Sequence, residues 1–381
     1  MPAIPDRILD SAATLILEKG IDHASLRAIA ARADVSLGAI DHHWGGRRHL
    51  LDAVIARAAI DHAGLVARCL DHLRAFIPLA PSVATSVARR WLTDAEPVAR
   101  RTALLASAFL AQDARTGIPS AGLVAIIEQE RRLWQALFEG HPQAERHGTA
   151  MAAYLRDERP FALLLEDDPH YPILRDITLR RAACDFPCGA PVDPAFATVV
   201  AAIAEGTRPV AAHRAPKTGT RAAELAAHIA SVIVEEGTAA VTHRRVAQAA
   251  AAPPSSVAHH FPGRRDLIQA GVDALYLRMW HAIAQEAPNR DDHGRAVIRL
   301  THDLAVAARH EPAFRLFAHD MRRRRAENVQ AQLGADGFDP ATGQALIMAL
   351  HGEMLAVQAS GNTPCSPQEW LAPYWTAIAK K

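Results

Sequence analysis

One segment near the start of the amino-acid sequence recurs later in the chain. Residues 23–50 align with residues 240–267 without a gap, and nine of the 28 aligned positions are identical. The offset between the two segments exceeds half of the chain, so it corresponds to whole domains and not to the short units of a solenoid. The sequence therefore predicts an end-to-end duplication in which both halves share one fold.

The segment before each aligned block carries an apolar stripe with helical spacing. The stripe residues are Ile8, Ala12, Leu15 and Ile16 in the first copy and Leu225, Ile229, Val232 and Ile233 in the second. A glycine follows each stripe, at Gly20 and Gly237, where it can end a helix. Each half is therefore predicted to begin with an amphipathic helix.

Two short helices joined by a tight turn are predicted next in the first copy. Ser25 and Ser36 stand where a hydroxyl can cap a helix, and residues 33–35 form the turn between the two helices. Small residues such as Ala30 and Gly38 let the two helices cross closely. This is the geometry of a helix-turn-helix, in which the second helix enters the major groove of DNA.

The N-terminal segment resembles the TetR family of bacterial transcription regulators, and it reads RILDSAATLILEKGIDHASLRAIAARADVSLGAIDHHWGGRRHLLDAV. The second copy follows in register as RAAELAAHIASVIVEEGTAAVTHRRVAQAAAAPPSSVAHHFPGRRDLIQAGV. The resemblance implies an all-α fold of two fused TetR-like units. Each unit has a three-helix DNA-binding head and a helical-bundle body for ligand binding and dimerisation.

Both copies depart from the family pattern. The family usually has a tyrosine before the histidine pair, where this chain has Asp41 in the first copy and Ala258 in the second. The second copy also replaces the capping Ser36 by Pro253, which is followed by Pro254. Proline is tolerated in the first turn of a helix, so the second reading helix is expected to survive without its cap. Unequal DNA affinity of the two heads follows from these departures.

Local charge supports a DNA-contact surface in both copies, although the whole chain has a formal net charge of only +1. Phosphate contacts supply most of the affinity for DNA and base-edge contacts supply the specificity. The residues assigned to phosphates are Ser25, Arg27, Arg47, Thr242, Arg244 and Arg264. The residues assigned to the groove are Leu37, Gly38, His42, Ser255, Ser256 and His259, and Ser36, His43, Trp44 and His260 complete the predicted DNA-binding set. The alternative is that the arginines only solvate a helical face.

The predicted domains are a first helix-turn-helix head at 1–50, a first body at 51–206, a linker at 207–219, a second head at 220–267 and a second, shorter body at 268–381. Residues 341–360 and 367–381 are predicted to form the last two helices. The resemblance implies that such helices pack as a four-helix interface. That interface can form within one chain, as a pseudo-twofold pair, or between two chains in a homodimer, and the sequence leaves both open.

Bundles of this kind place ligands in apolar pockets with a few polar groups. The candidate ligand-binding residues are Trp91, Phe109, Trp134, Phe138, Tyr154, Trp280, His302, Phe314 and Phe317. The competing interpretation is that these side chains are ordinary core residues at helical spacing.

Other classes of site find little support in the sequence. No glycine motif for nucleotides or for a nucleophilic serine is present. Cys184 and Cys188 lack a second pair of metal ligands nearby. No signal-peptide pattern and no apolar stretch of roughly 20 residues are found. We therefore expect a cytoplasmic, non-enzymatic protein without metal, cofactor or membrane span.

The expected function is ligand-responsive transcriptional repression. The expected partners are a double-stranded DNA operator and a small, mostly apolar effector that lowers operator affinity. An alternative is a helical ligand-binding or partner-binding protein in which one or both DNA-reading heads are degenerate.

Overall fold

The structure is a computed structural model that describes residues 3–207, 219–284, 291–327 and 329–376. These residues form helices and turns without any strand, which confirms the predicted all-α fold. The helices are α1 (Ile4–Lys19), α2 (Leu26–Ala33), α3 (Leu37–Trp44), α4 (Arg47–Leu73), α5 (Pro81–Thr93), α6 (Pro97–Thr116), α7 (Ala121–Leu137), α8 (Ala144–Leu164), α9 (Tyr171–Ala183), α10 (Pro194–Thr207), α11 (Arg221–Glu236), α12 (His243–Ala249), α13 (Pro254–His260), α14 (Arg264–Ala284), α15 (Asp291–Ala307), α16 (Arg315–Arg323), α17 (Gln330–Ala335), α18 (Pro340–Ala359) and α19 (Pro367–Thr376).

Helix boundaries follow the prolines and glycines of the sequence. Pro81, Pro97, Pro340 and Pro367 each open a helix, at the position where a missing backbone N–H costs no hydrogen bond. Gly117 ends α6 with a left-handed backbone, at a φ of 66°. Prolines and a glycine therefore mark where these helices begin or end.

The chain divides into two compact units whose boundaries differ from those of the predicted domains. Unit 1 comprises Met1–Ala197 and Arg325–Lys381, and unit 2 comprises Thr198–Arg324. The predicted second body at 268–381 is thus divided, because α17 to α19 belong to unit 1. The physical reason is that α18 is buried along almost its whole length and finds its contacts on α6, α8 and α9. Most of the predicted linker, residues 208–218, lies outside the described residues.

Helix α8 is the centre of unit 1. Every residue from Ala150 to Leu164 is buried, and the helix packs between α7 and α18. The crossing with α18 is so close that a Cβ atom added to Gly352 would lie 1.9 Å from the carbonyl oxygen of Ala153. Only glycine permits this approach of the two backbones.

Buried charges at the α8–α18 contact are paired. The guanidinium of Arg325 donates to both carboxylate oxygens of Asp157, at 3.1 and 3.2 Å. Arg156 donates to the carbonyl oxygen of Gly352 at 3.1 Å. Because removing a charge from water is costly, these partners are required for the charges to be accommodated in the core.

The two heads repeat each other closely. The helices α11, α12, α13 and α14 begin at the residues that the repeat aligns with the first residues of α1, α2, α3 and α4. The glycine turns also recur, with φ values of 88° at Gly20 and 84° at Gly237. The predicted stripe residues of α1 and α11 are buried in their own heads.

Replacement of Gly352 tests the close crossing. We expect Gly352→Ala to lower the free energy of unfolding by about 3 kcal/mol, because the new methyl group overlaps the backbone of α8. Gly334→Ala in α17 is the matched control, since nothing lies within 4 Å of its added Cβ. That change should leave the protein as stable or raise its stability by up to about 1 kcal/mol. Equal denaturant midpoints for both variants would contradict the crossing.

Candidate nucleic-acid interface and effector cavity

In the first head, the second helix of the helix-turn-helix presents an exposed face. The backbone N–H groups of Ala28 and Ala39 donate to the hydroxyl oxygens of Ser25 and Ser36, both at 3.2 Å, so each serine caps its helix as predicted. Each hydroxyl keeps its own O–H for a further acceptor. Leu37 is 45 % exposed at the start of α3, a position from which it can contact a methyl group in the groove.

The remaining groove candidates of α3 are exposed as well. Gly38, His42 and His43 face solvent, and the two histidine rings lie edge to face with centroids 5.1 Å apart. Asp41 is also exposed on this helix, so its carboxylate is present beside the predicted contact surface. Trp44 is half-buried under the end of α3, which makes it a support of the helix as well as a groove candidate.

The second head keeps the same plan with less capping. Thr242 accepts a hydrogen bond from the backbone N–H of Arg245 at 3.1 Å, but α13 begins after Pro253 without a side-chain cap. The reading helix is nevertheless formed. Its candidate residues are Ser255, which is exposed, Ser256, which is half-buried, and His259 and His260, which are exposed.

Arg47 and Arg264 are placed differently from the predicted phosphate contacts. The guanidinium of Arg47 is half-buried and donates to the backbone carbonyls of Ile21 and Ala24, at 2.7 and 3.0 Å. Burial lowers the pKa of Arg47, and the nearby Asp22 carboxylate opposes that shift. Arg264 repeats the contact with the carbonyl of Thr238 at 3.1 Å and also pairs with Glu311. The two arginines therefore hold the helix after the reading helix against the loop before α2 or α12.

Of the four arginines predicted to contact phosphates, Arg27 and Arg244 remain available. Both are exposed, and neither makes an ion pair with any residue that the structure describes. They occupy the same position in the two copies, in the first turn of α2 and α12. Arg32 of the first head is instead engaged with both carboxylate oxygens of Glu18, at 2.7 and 2.9 Å.

Helix α6 connects the first head to the body of unit 1. Arg101 donates to Asp10 of α1 at 2.9 Å, and Arg115 donates to Asp22 in the head loop at 2.9 Å. Both ends of α6 therefore contact the head by charge-assisted hydrogen bonds. Motion of α6 along its axis would displace the head contacts.

The last turn of α6 contains a buried carboxyl group. Asp113 is 1 % exposed and accepts hydrogen bonds from the backbone N–H and the hydroxyl of Ser120, at 2.8 and 3.2 Å. Burial raises the pKa of Asp113 to about 6, although the hydrogen bonds from Ser120 act in the opposite direction. In the loop that follows α6, the carbonyl of Pro119 accepts a hydrogen bond from Arg48 at 3.1 Å.

A cavity of about 500 Å³ lies in the body of unit 1, among α4, α5, α6 and α8. Its wall is mostly apolar and includes Leu65, Cys69, Val87 and Ala103. Trp91, one of the predicted ligand residues, is half-buried and lines it. A volume of this size accommodates a small organic molecule.

The other predicted ligand residues of the first body lie in the core, outside this cavity. Phe109, Trp134, Phe138 and Tyr154 are each 0 % exposed. Phe138 stacks on His147, and the Tyr154 hydroxyl lies 2.8 Å from that of Thr178. These side chains are better explained by packing than by ligand contact, because their surfaces are already covered by protein.

In the second body, His302, Phe314 and Phe317 are buried in unit 2. The side chain of Trp280 lies outside the described residues. Sequence reasoning missed His62 and Arg159, which line the cavity although they lie far apart in the chain. A signal was present for His62, whose i±3 and i±4 neighbours Ala58, Ala59, Leu65 and Val66 are apolar.

Within the part of the chain that the structure describes, no group of three or more histidine, cysteine, aspartate or glutamate side chains is arranged to hold a metal ion. Cys184 is exposed and Cys188 is half-buried, and both are free thiols. Among the same residues, every helix is too short or too polar to cross a bilayer.

Comparison with protein families decides the class of the first head. Residues 8–54 match the family model of bacterial regulatory proteins, tetR family. The first head is similar to the DNA-binding domain of the tetR family. The match supports a DNA-binding transcriptional regulator and covers α1 to the start of α4. The search of curated proteins finds no match to the chain.

The two classes of head arginine should respond differently to substitution. Arg27→Ala removes an exposed cation from the tetR-type head, and Arg244→Ala removes one from the aligned segment at 240–267. Each should weaken DNA binding and reduce the dependence of log K on log salt by about one. Arg47→Met should instead destabilise the first head by about 1–3 kcal/mol, because two carbonyls lose their donor. Fluorescence anisotropy with operator DNA and thermal unfolding measure the two effects. Arg74→Ala is the charge-matched control, because it removes an exposed arginine from the body. If this control lost as much affinity for DNA, the assignment of Arg27 and Arg244 to phosphates would be refuted.

Asp113 should make the stability of the protein depend on pH. Because its pKa in the folded state is raised, the native protein binds this proton more tightly than the unfolded chain does. The stabilisation is complete below about pH 4 and is lost as the pH rises through about 6. Asp113→Asn should therefore exceed the wild type in stability at pH 7.5 by on the order of 2 kcal/mol and equal it near pH 4. Denaturant titrations at these two pH values check this, with Asp71→Asn as an exposed control. If the free energies of unfolding of Asp113→Asn and of the wild type changed with pH in the same way, the raised pKa would be excluded.

Proposed function

We propose that the chain is a transcriptional repressor that binds operator DNA through two helix-turn-helix heads and is released by a small, mostly apolar ligand. The observation that carries the proposal is the tetR-type head at residues 8–54, whose exposed helix α3 stands beside the exposed cation of Arg27. Exposed polar and apolar side chains on a short helix, next to phosphate-binding arginine, are what groove recognition requires.

The second head is proposed to be a duplicate of the first. The support is that specific contacts, and not only helices, recur at positions that the sequence repeat aligns. Arg47 donates to the carbonyl of Ile21 and Arg264 to that of Thr238, and the repeat aligns these two pairs with each other. Asp34 and Ala251, also equivalent, both adopt positive φ at the turn, at 52° and 45°. Helix pairs of unrelated origin are not expected to share both the arginine contacts and the positive φ at the turn.

The two halves are proposed to form a pseudo-twofold pair within one chain. In unit 1, α18 packs against α8 and α9, and Arg146 of α8 lies over the ring of Tyr374 in α19, 4.7 Å from its centroid. The last helices of the second half thus occupy a surface of α8 and α9. The resemblance implies that the last two helices pack as a four-helix interface, so the packing of α18 and α19 within the same chain supports a monomer with two heads.

The ligand is proposed to act through α6. Thr102, Ala103 and Ala106 of this helix line the cavity, while Arg101 and Arg115 of the same helix hold the first head. A ligand that favours another position of α6 would change the geometry of the head. The effect requires different ligand affinities for the DNA-bound and the free form.

The stoichiometry on DNA tests the proposal. We expect the purified chain to have the mass of one 41.1 kDa polypeptide in light scattering and to bind a fragment from the promoter of its own gene as one chain per duplex. Footprinting should reveal two unlike protected half-sites, and binding should weaken steeply with salt. Half-site-specific losses with Arg27→Ala and with Arg244→Ala would link each head to its site.

Other outcomes have distinct meanings. A homodimer with four protected half-sites overturns the pseudo-twofold pair but leaves the repressor. Loss of affinity in Arg27→Ala alone identifies the second head as structural. Absence of binding to every genomic fragment overturns DNA recognition and leaves the helical ligand-binding protein with degenerate heads.

A further inference from the structure

Helices α3 and α13 present equivalent exposed positions that carry different side chains. In each helix three exposed residues form what we call the reading face. They are Gly38, Asp41 and His42 on α3, and Ser255, Ala258 and His259 at the aligned positions of α13. Residues three and four apart on a helix share a face, so position 41 or 258 lies one turn after the first member of its set. The two heads therefore offer different chemical groups to the same place on DNA.

The carboxylate of Asp41 is free to accept hydrogen bonds. Asp41 is exposed, and its side chain makes no hydrogen bond or ion pair with any residue in the described ranges. Three other carboxylates of the first head are each paired with an arginine, namely Asp10 with Arg101, Glu18 with Arg32 and Asp22 with Arg115. Asp41 thus differs from these acidic residues in keeping an available acceptor on the reading face.

A carboxylate on a face that approaches DNA requires a donor from a base. It is repelled by the phosphates, and an ionised carboxylate only accepts hydrogen bonds. In the major groove the donors are the amino groups of cytosine and adenine, and adenine also presents the acceptor N7 beside its amino group. Guanine and thymine present acceptors, and thymine also a methyl group. The cytosine amino group is therefore the partner that fits Asp41.

The surface beside Asp41 permits the close approach that its short side chain requires. Gly38 lies one turn before it and has no side chain. A Cβ atom added to Gly38 would have Oγ of Ser36 as its nearest neighbour, at 3.8 Å. The space that a side chain would fill is thus open, and a base edge can approach the backbone of α3 there.

Ala258 offers only a methyl group at the equivalent position of α13. It is exposed, as Asp41 is, so the difference between the heads lies in the chemistry of the side chain and not in its accessibility. Alanine makes an apolar contact with the methyl group of thymine and cannot accept a hydrogen bond from cytosine. The base that fits the second head at this position is therefore thymine.

We infer that Asp41 is a specificity-determining residue, whose carboxylate accepts a hydrogen bond from the amino group of a cytosine in the half-site of the first head. Ala258 contacts the methyl group of a thymine at the corresponding base pair of the second half-site. This inference rests on the proposed function, because it requires both heads to bind DNA. The operator is then not a perfect palindrome, since its half-sites differ at this base pair.

Selection from a random duplex library by the full chain tests the inference. The probe is double-stranded DNA with about 30 randomised base pairs, enough for two half-sites one helical turn apart. We expect the wild type to enrich duplexes with two half-sites that carry cytosine in one and thymine in the other at the corresponding position. Replacing this cytosine by thymine should reduce the affinity about tenfold. Selected half-sites without cytosine at the position that responds to substitution of Asp41 would overturn the inference.

Two substitutions assign the base pair to the reading face. Asp41→Asn should change the selected base from cytosine to adenine, because an amide can donate to N7 of adenine and accept from its amino group. Ala258→Asp should change thymine to cytosine in the second half-site alone, so that the half-sites become alike at this base pair. Both positions are exposed, so the changes leave the core of each head intact. Retention of cytosine by Asp41→Asn would exclude Asp41 as its acceptor.

Asp34→Asn is the charge-matched control in the same head. Asp34 is exposed in the turn before α3 and has a φ of 52°, a left-handed conformation that asparagine also adopts. Removal of its charge should strengthen binding to all duplexes alike and keep the selected bases, because phosphate attraction does not depend on sequence. If this control changed cytosine to adenine as well, the effect of Asp41→Asn would be one of charge alone and the inference would fail.

The same selection separates this inference from the proposed function. If the wild type enriches a defined site and the substitutions at Asp41 and Ala258 leave the selected bases unchanged, the regulator stands and the role of Asp41 is wrong. If the wild type enriches no sequence above the starting pool, sequence-specific DNA recognition itself fails, and the role of Asp41 fails with it.

Discussion

The close crossing of α8 and α18 is the constraint on which unit 1 depends. Residues from the C-terminal part of the chain complete the core around α8, where Gly352 allows contact between backbones and Arg325 neutralises the buried Asp157. A larger residue at the crossing or an unpaired charge beside it would be expensive in a close-packed interior. The unit is therefore assembled from two segments that are remote in sequence, and neither segment has a complete core without the other.

The heads show how one residue type serves two purposes. Arg47 and Arg264 use their guanidiniums to bind backbone carbonyls, so they position the helix that follows the reading helix. Arg27 and Arg244 lie exposed on the preceding helix, where a cation can reach a phosphate. A count of charges over the head does not distinguish these roles. Arg47 and Arg264 contribute to folding, whereas Arg27 and Arg244 contribute to the electrostatic surface.

Helix α6 links the cavity to the first head, because some of its residues line the cavity and others contact the head. Its apolar face lines the cavity, and its arginines reach Asp10 and Asp22 of the head. A helix with continuous backbone hydrogen bonds moves as a rigid element, so a displacement at the cavity is carried to the ion pairs. The buried Asp113 in the last turn of this helix adds a pH-dependent term to the same region.

The sequence by itself determined the all-α fold, the stripes of α1 and α11, and the serine caps of the first helix-turn-helix, because these features depend on local periodicity and on neighbours within four residues. Only the tertiary structure decided that α18 belongs to unit 1, that Arg47 contacts carbonyls, and that His62 and Arg159 meet in a cavity while Trp134 and Phe138 do not line it. These outcomes depend on which helical faces meet across long sequence separations, and an apolar position has the same pattern in the sequence whether its neighbour is protein or an open cavity.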